Sequence, residues 1–249
     1  MSVILEHLPF YRSMFAVPGF WREKFLFVGL PYMQGDNLPP DFQYQNLEQV
    51  ARAHGLDDVY SVDLFDKNAQ YQWDLNLPVA KKYHESFQTV FDIGTIEHIF
   101  DTRQCLENYM RLVRVGGLLA IVTAVNGYFG HGFHVFNPHT LIDTLEQNHF
   151  TVEYCSYSTS TGFEVSDPSI RKNILIFIVA RKKRSLKVFK VPQQRYWADL
   201  YATKNETYQD ITRRSGYFDK LTFQLKRLKR AALRKLSLSQ RTWLLRRVS

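Results

Sequence analysis

Two cysteines in 249 residues, Cys105 and Cys155, are too few for a disulfide framework, and they stand in no metal-ligand spacing. Thiols used this sparingly point to a reducing compartment, the cytosol. No stretch approaches the roughly 20 uninterrupted apolar residues that a membrane-spanning helix needs. Residues 1–14 lack a basic start and a long apolar region, because Glu6, His7 and Arg12 interrupt them, so no secretory signal is expected. The chain has no internal repeat. Acidic residues are missing from 220–249, a segment that holds ten Lys and Arg.

What is present is unevenly distributed. Apolar residues make up 45% of the chain, enough to bury a real core and to exclude wholesale disorder. The net charge of +8 divides into an acidic body and a basic tail. Residues 1–180 carry 12 Lys/Arg against 20 Asp/Glu, and residues 181–249 carry 20 against 4. A tail of that sign seeks phosphate-bearing partners or folds back on the acidic body.

Short apolar runs at 24–30 (KFLFVGL), 59–64 (VYSVDL), 89–93 (TVFDI), 118–124 (LLAIVTA), 150–157 and 174–180 (ILIFIVA) read as strands covered on both faces. Helical spacing falls between them. Leu47, Val50, Ala51 and His54 keep it up to Gly55, and Cys105, Leu106, Tyr109, Met110 and Val113 keep it up to Gly116-Gly117, which is expected to stop the helix. Asn137-Pro138 opens a further helix, with Asn137 as its N-cap. The alternation predicts a doubly wound, mostly parallel α/β sheet, closed by an antiparallel edge hairpin from the last two strands. The boundaries expected are a lead-in over 1–23, a Rossmann-like domain over 24–181 and a basic extension over 182–249. Within the extension, Leu221, Leu225, Leu228, Ala232 and Leu236 form an apolar stripe between Lys220 and Leu236. A basic amphipathic helix of this kind suits an anionic membrane surface, with nucleic acid as the second choice and docking on its own domain as the plain alternative.

Ligands of such sheets sit beyond the carboxyl ends of the strands. After the first strand come Gly29 and Gly35, which can let backbone approach a ligand or simply turn the loop around Pro31. Asp63 ends the second strand, where a carboxylate can accept the hydroxyls of a ribose or open a turn with Asp66. Asp74 can meet an adenine amino group, and it too is a common turn former. Residues 91–100 (FDIGTIEHIF) place Gly94, Glu97 and His98 after the next strand, with His98 a candidate base and Glu97 its orienting partner or a helix cap. Residues 126–134 (NGYFGHGFH) form a loop rich in Gly that carries Tyr128, His131 and His134, the kind of loop that serves function. His131 and His134 have no evident third partner, so no metal site is expected.

Taken together these segments resemble the class I S-adenosylmethionine-dependent methyltransferases. The resemblance rests on FDIGTIEHIF, on residues 112–120 (LVRVGGLLA) with Val115 where proline is usual, on Val62-Asp63, on Asp74 and on residues 130–138 (GHGFHVFNP), and it spans residues 24–181. It implies a seven-stranded sheet and S-adenosylmethionine as cofactor. It implies Asp63 at the cofactor ribose and Asp74 near the adenine; position adds Gly29, Gly35, Gly94 and Glu97 as further cofactor candidates and His98, His131 and Tyr128 as candidates at the reaction. It implies methyl transfer to an oxygen or nitrogen nucleophile; the acceptor stays open among small-molecule, glycan and lipid-linked ones, and the sparse cysteines and basic tail add the expectation of a cytoplasmic protein at the inner face of a membrane. The first motif departs from the family: Phe27 stands where an acid is usual, and Leu30-Pro31-Tyr32 replaces much of the glycine run. That departure motivates a second reading, a protein that keeps the fold for binding or scaffolding without the reaction.

Overall fold

All four residues of Phe25–Val28 and all seven of Phe87–Ile93 are buried. Strands with no exposed face must lie inside a sheet covered on both sides. The computed structural model describes residues 2–34, 39–40, 43–166, 168 and 173–192. Its elements run β1 (Ser2–Ile4), α1 (Leu8–Phe15), β2 (Phe25–Val28), β3 (Tyr32–Gln34), α2 (Leu47–Ala53), β4 (Val59–Val62), β5 (Phe87–Ile93), α3 (Thr102–Leu112), β6 (Val113–Asn126), α4 (Pro138–Gln147), β7 (Phe150–Thr159) and β8 (Ile174–Lys182).

The main sheet has the order β4-β2-β5-β6-β8-β7. Its first four strands pair in parallel, and β8 runs antiparallel to both β6 and β7. The doubly wound sheet and its antiparallel edge are therefore as expected, with six strands among the described residues where seven were anticipated. Beyond β4 the following segment makes one parallel bridge, Val62 to Tyr71. Tyr71 stacks on Trp73 at 4.4 Å and on Tyr60 at 5.9 Å. The edge that a seventh strand would have paired is met instead by the Tyr71 backbone, bonded to Ser61 and Asp63, and by the Gln70 side chain on the Ser61 N–H.

The lead-in packs onto the body. β1 pairs with β3 in a separate two-stranded sheet, and α1 buries Leu8, Phe10, Tyr11 and Met14. Phe10 stacks on Phe177 of β8 at 4.9 Å, and Tyr11 meets the same ring edge-on at 5.5 Å. This face of the sheet, with Phe25, Phe27, Phe91 and Ile93, forms one continuous core with α1 and α2. Phe27, standing where the resembled family carries an acid, is wholly buried in it. On the opposite face α3 sends the Tyr109 hydroxyl to Asp92.

Local chemistry sets the helix starts. Asn46, Asp101 and Asn137 each accept a backbone N–H of the first turn with their side chains. Gly116-Gly117 acts differently from expectation. α3 already ends at Leu112, and the glycines lie inside β6, where Val113 pairs with Phe87 but Leu118 pairs with Thr89. The extra residues form a bulge, so the glycines bend a strand and do not stop a helix.

The basic run at 181–184 is partly structural. Lys182 is fully buried and donates from Nζ to the carbonyls of Met110 (2.8 Å) and Val113 (2.7 Å) while pairing with Glu85 at 3.0 Å. It thereby closes the C-terminal end of α3, where carbonyls lack helical partners. The compact unit continues to Pro192, with Leu186 and Phe189 buried. The extension from 193 onward, including the helix expected between Lys220 and Leu236, lies outside the described residues, as does Gly35. No helix among the described residues is long and apolar enough to cross a membrane.

Lys182→Ala leaves two buried carbonyls without their partner and removes the cation beside Glu85, and should cost about 3 kcal/mol or more. Lys183→Ala removes only a half-exposed contact to Glu153 and should cost less than about 1 kcal/mol. Urea unfolding of the two variants against the parent measures the difference.

Candidate functional site

The sheet changes direction of growth at β2, with β4 on one side and β5 on the other. The carboxyl ends of β2 and β5 mark the topological switch point, the usual ligand position in such sheets. Val28 lies beside both Val62 and Asp92 in register, so Gly29 and Asp63 leave their strands at one level, with Ile93-Gly94 alongside. Gly29 and Gly94 both have φ of +74°, a left-handed turn that glycine alone takes without strain. Their N–H groups still reach back to the neighbouring strands, Gly29 to the Val62 carbonyl and Gly94 to the Val122 carbonyl, each at 2.8 Å. Thr95 packs so closely on Gly29 that an added Cβ would stand 2.6 Å from its Oγ1, which donates to the Val28 carbonyl at 3.0 Å.

The first loop is built without its glycine run. The chain passes Pro31, forms β3 and returns, with Met33 N–H on the Gln45 carbonyl and Leu47 N–H on the Pro31 carbonyl. This excursion brings the start of α2 beside the end of β2. The Tyr32 hydroxyl donates to Asp66 at 2.8 Å, tying the first loop to the loop that follows β4.

Asp63 and Asp74 both open turns. Asp63 Oδ1 accepts the N–H groups of Phe65 and Asp66 at 2.9 and 3.0 Å. Asp74 Oδ1 accepts the backbone N–H and the side-chain amide of Asn76 at 2.9 and 2.8 Å. One oxygen of each is thus committed locally, which is the plain alternative the sequence offered. The second oxygen of Asp63 has no partner among the described residues.

Beyond β5 the chain is held by Asp92, which is fully buried. Its carboxylate accepts Thr95 N–H at 2.7 Å, Ile96 N–H at 3.0 Å and the Tyr109 hydroxyl at 3.1 Å. This fixes a single 3-10 turn over Ile96–His98. The turn drives Glu97 inward and leaves His98 exposed. Glu97 Oε2 accepts the Thr123 hydroxyl from β6 at 2.7 Å, while Oε1 is buried with no hydrogen-bond partner among the described residues. Burial raises the Glu97 pKa.

The loop after β6 lies over this turn. Phe133 and His134 N–H groups both donate to the Glu97 carbonyl, at 2.8 and 3.1 Å. Gly132 permits the approach, since a Cβ there would come within 2.7 Å of that carbonyl oxygen. The arrangement sets His131 Nε2 4.0 Å from Glu97 Oε1 and its ring 5.0 Å from that of His98. Tyr128 stands 5.8 Å from His131, centroid to centroid. The structure therefore gathers four of the sequence candidates, Glu97, His98, Tyr128 and His131, at one place. The sequence offered no evident third partner for His131 and His134. The companions of His131 are Glu97 and His98, while His134 is spent on the Phe100 carbonyl at 3.1 Å. Sequence reasoning passed over Asp92 and Thr123. An acid inside an apolar strand was the available signal for Asp92, and Thr123 carried none.

No protein-family profile and no curated protein matches the chain. Solved structures similar to it include an S-adenosylmethionine-dependent methyltransferase from Mesorhizobium loti, 13% identical, covering 71% of this chain and 98% of that one, with a TM-score of 0.49. A phosphoethanolamine N-methyltransferase from Haemonchus contortus in complex with S-adenosyl-L-methionine is 15% identical, covers 72% of this chain and 52% of that one, and gives a TM-score of 0.47. The 1,6-didemethyltoxoflavin-N1-methyltransferase of Burkholderia thailandensis, with bound S-adenosylhomocysteine, is 15% identical over 72% of this chain and 79% of that one, at a TM-score of 0.46. Identities this low lend no role to individual residues of the site.

Asp92 gives a pH signature. Burial and the nearby Glu97 push its carboxyl from the usual 3.8 up to about 7, against the three donors that favour the anion. Between these values the unfolded chain has released a proton that the folded protein keeps, so stability falls as pH rises from about 4 to about 7. Glu97, also shifted upward, adds to the fall with the same sign. Asp92→Asn should flatten the dependence, read as urea midpoints across that window for parent and variant.

Proposed function

We propose that the protein transfers a methyl group from S-adenosylmethionine to an oxygen or nitrogen nucleophile. The observation that carries this reading is the switch point itself, where Gly29, Gly94 and Asp63 follow the ends of three adjacent parallel strands. The groups present fit an adenosine-bearing cofactor. A carboxylate oxygen at the tip of β4 is open to ribose hydroxyls, the left-handed Gly29 and Gly94 turn the chain at the ends of β2 and β5, and α2 starts beside the end of β2. Gly29 and Gly94 would border the cofactor, Asp63 would hold the ribose and Asp74 would lie toward the adenine, while Gly35 stays a candidate of the sequence alone. When bound, the cofactor supplies an electrophilic methyl group. The protein's task is then alignment and proton handling. Burial and the neighbouring His131 hold the His98 pKa below its usual 6.5, so its ring is neutral near pH 7 and able to take a proton from the acceptor. Tyr128 and His131 flank the same approach.

The exposed rings of Phe100, Phe129 and Phe133 around this cluster support an acceptor with an apolar portion, such as a lipid-linked one. We assign the tail between Lys220 and Leu236 to an anionic membrane surface, which would hold a cytoplasmic enzyme at the inner face of the membrane beside such an acceptor.

One observation favours the second reading, a scaffold that keeps the fold without the reaction. Tyr32 bonds Asp66 across the loops where the resembled family keeps its glycine run, and one oxygen of each candidate aspartate is engaged in a turn.

Titration calorimetry separates the two. The enzyme reading expects saturable binding of S-adenosylmethionine and S-adenosylhomocysteine, weakened about tenfold or more by Asp63→Ala, which removes a charged acceptor. Absence of binding up to millimolar ligand argues against the enzyme and leaves the scaffold reading. In a second experiment, flotation with phosphatidylserine vesicles should retain the full chain and lose a chain ending at residue 219. Equal flotation of both removes the membrane role of the tail.

A further inference from the structure

We propose that Glu97, His98 and His131 form a binding site for a divalent transition-metal ion of the zinc type. One ligand atom from each residue lies within 4.8 Å of the other two. Ions of this class hold such atoms about 3.4 Å apart, given metal–ligand distances of about 2.1 Å. The two histidines are exposed at the rim, so modest side-chain rotation closes the difference while the buried carboxylate stays in place.

Three features mark the site as built. The first is the orphan oxygen. Glu97 Oε1 is buried without a hydrogen-bond partner among the described residues, and a buried carboxylate oxygen left so is costly unless something fills the position. The second is the Thr123 hydroxyl on Oε2 at 2.7 Å, which aims the other oxygen toward His131, as outer-shell donors aim metal-binding carboxylates. The third is the clamp of the loop on the Glu97 backbone, through Phe133 N–H, His134 N–H and the close approach of Gly132. It seats His131 from a distant part of the sequence beside the other two.

Two imidazole nitrogens and one carboxylate oxygen suit zinc, cobalt, nickel or ferrous iron better than magnesium or calcium. Three protein ligands leave at least one position for water or an acceptor oxygen, the pattern of reactive rather than structural zinc sites. In the loaded site His98 and His131 are ligands, so the proton-accepting role given to His98 belongs to the metal-free protein. The site needs no S-adenosylmethionine, and it stands or falls independently of the methyl-transfer reading.

The test uses the full chain, freed of affinity tags and stripped with chelator, titrated with Co2+ and followed by the visible absorption of the ion. One equivalent should bind with the intense bands of a low-coordinate site, and Zn2+ should displace it. His98→Ala, His131→Ala and Glu97→Gln should each weaken binding at least about tenfold, and Thr123→Val about tenfold, as outer-shell losses do. His134→Ala should leave binding unchanged. Circular dichroism and thermal melting identify any variant that has lost its fold; the rim substitutions His98→Ala and His131→Ala decide the outcome if Glu97→Gln does not fold. Absence of one-equivalent binding, or equal affinity in the parent, His98→Ala and His131→Ala, overturns the proposal.

Discussion

The carboxylate of Asp92 is the constraint on which the rest of the site depends. It stands one residue before the end of β5 in a place closed to water and collects three donors, two from the turn ahead of it and one from α3. A buried acid without those donors would be costly, and a turn without that acid would lose the groups that hold its first N–H bonds. Because the two needs meet at one side chain, residues 94–98 have one conformation. Gly94 lies at the switch point, Glu97 points inward and His98 points outward as consequences of that single knot.

A second level of order rests on the first. The loop after β6 hangs on the Glu97 carbonyl, so His131 is positioned only after the turn over Ile96–His98 has formed. Thr123, on the strand between the two loops, reads the result by bonding the Glu97 carboxylate. Polar groups thus accumulate at the carboxyl edge of an otherwise apolar sheet. The low dielectric of the sheet makes their mutual arrangement matter more than it would on an open surface. The opposite end of the same layer shows the same economy in Lys182, a buried cation that completes α3.

Much of the fold was legible in the sequence because strands buried on both faces have no alternative to apolar runs. The runs at 24–30, 89–93, 118–124 and 174–180 gave the central strands, and Asn137-Pro138 gave the start of α4. Legibility failed where one residue type serves two geometries. Gly116-Gly117 suits a helix stop as well as a bulge, and the register of β5 against β6 chose the bulge. The basic run at 181–184 suits a linker as well as a strand end, and burial of Lys182 chose the strand. At the site the individual candidates were visible, but their grouping was not, since Glu97 and His131 are separated by a helix and a strand.

The sequence by itself determined the alternation of strands and helices, the segregation of charge between body and tail, and the identity of most polar residues at the strand ends. These are local or compositional properties, set by periodicity, capping and turn chemistry. Only the tertiary structure decided that Glu97, His98 and His131 meet while His134 turns away. It also decided that Asp63 and Asp74 each give an oxygen to a turn, and that the Tyr71 backbone and the Gln70 side chain take the place of a seventh strand. Such outcomes depend on distances between segments far apart in the chain, and those distances are fixed by packing and register, which no local stretch of residues encodes.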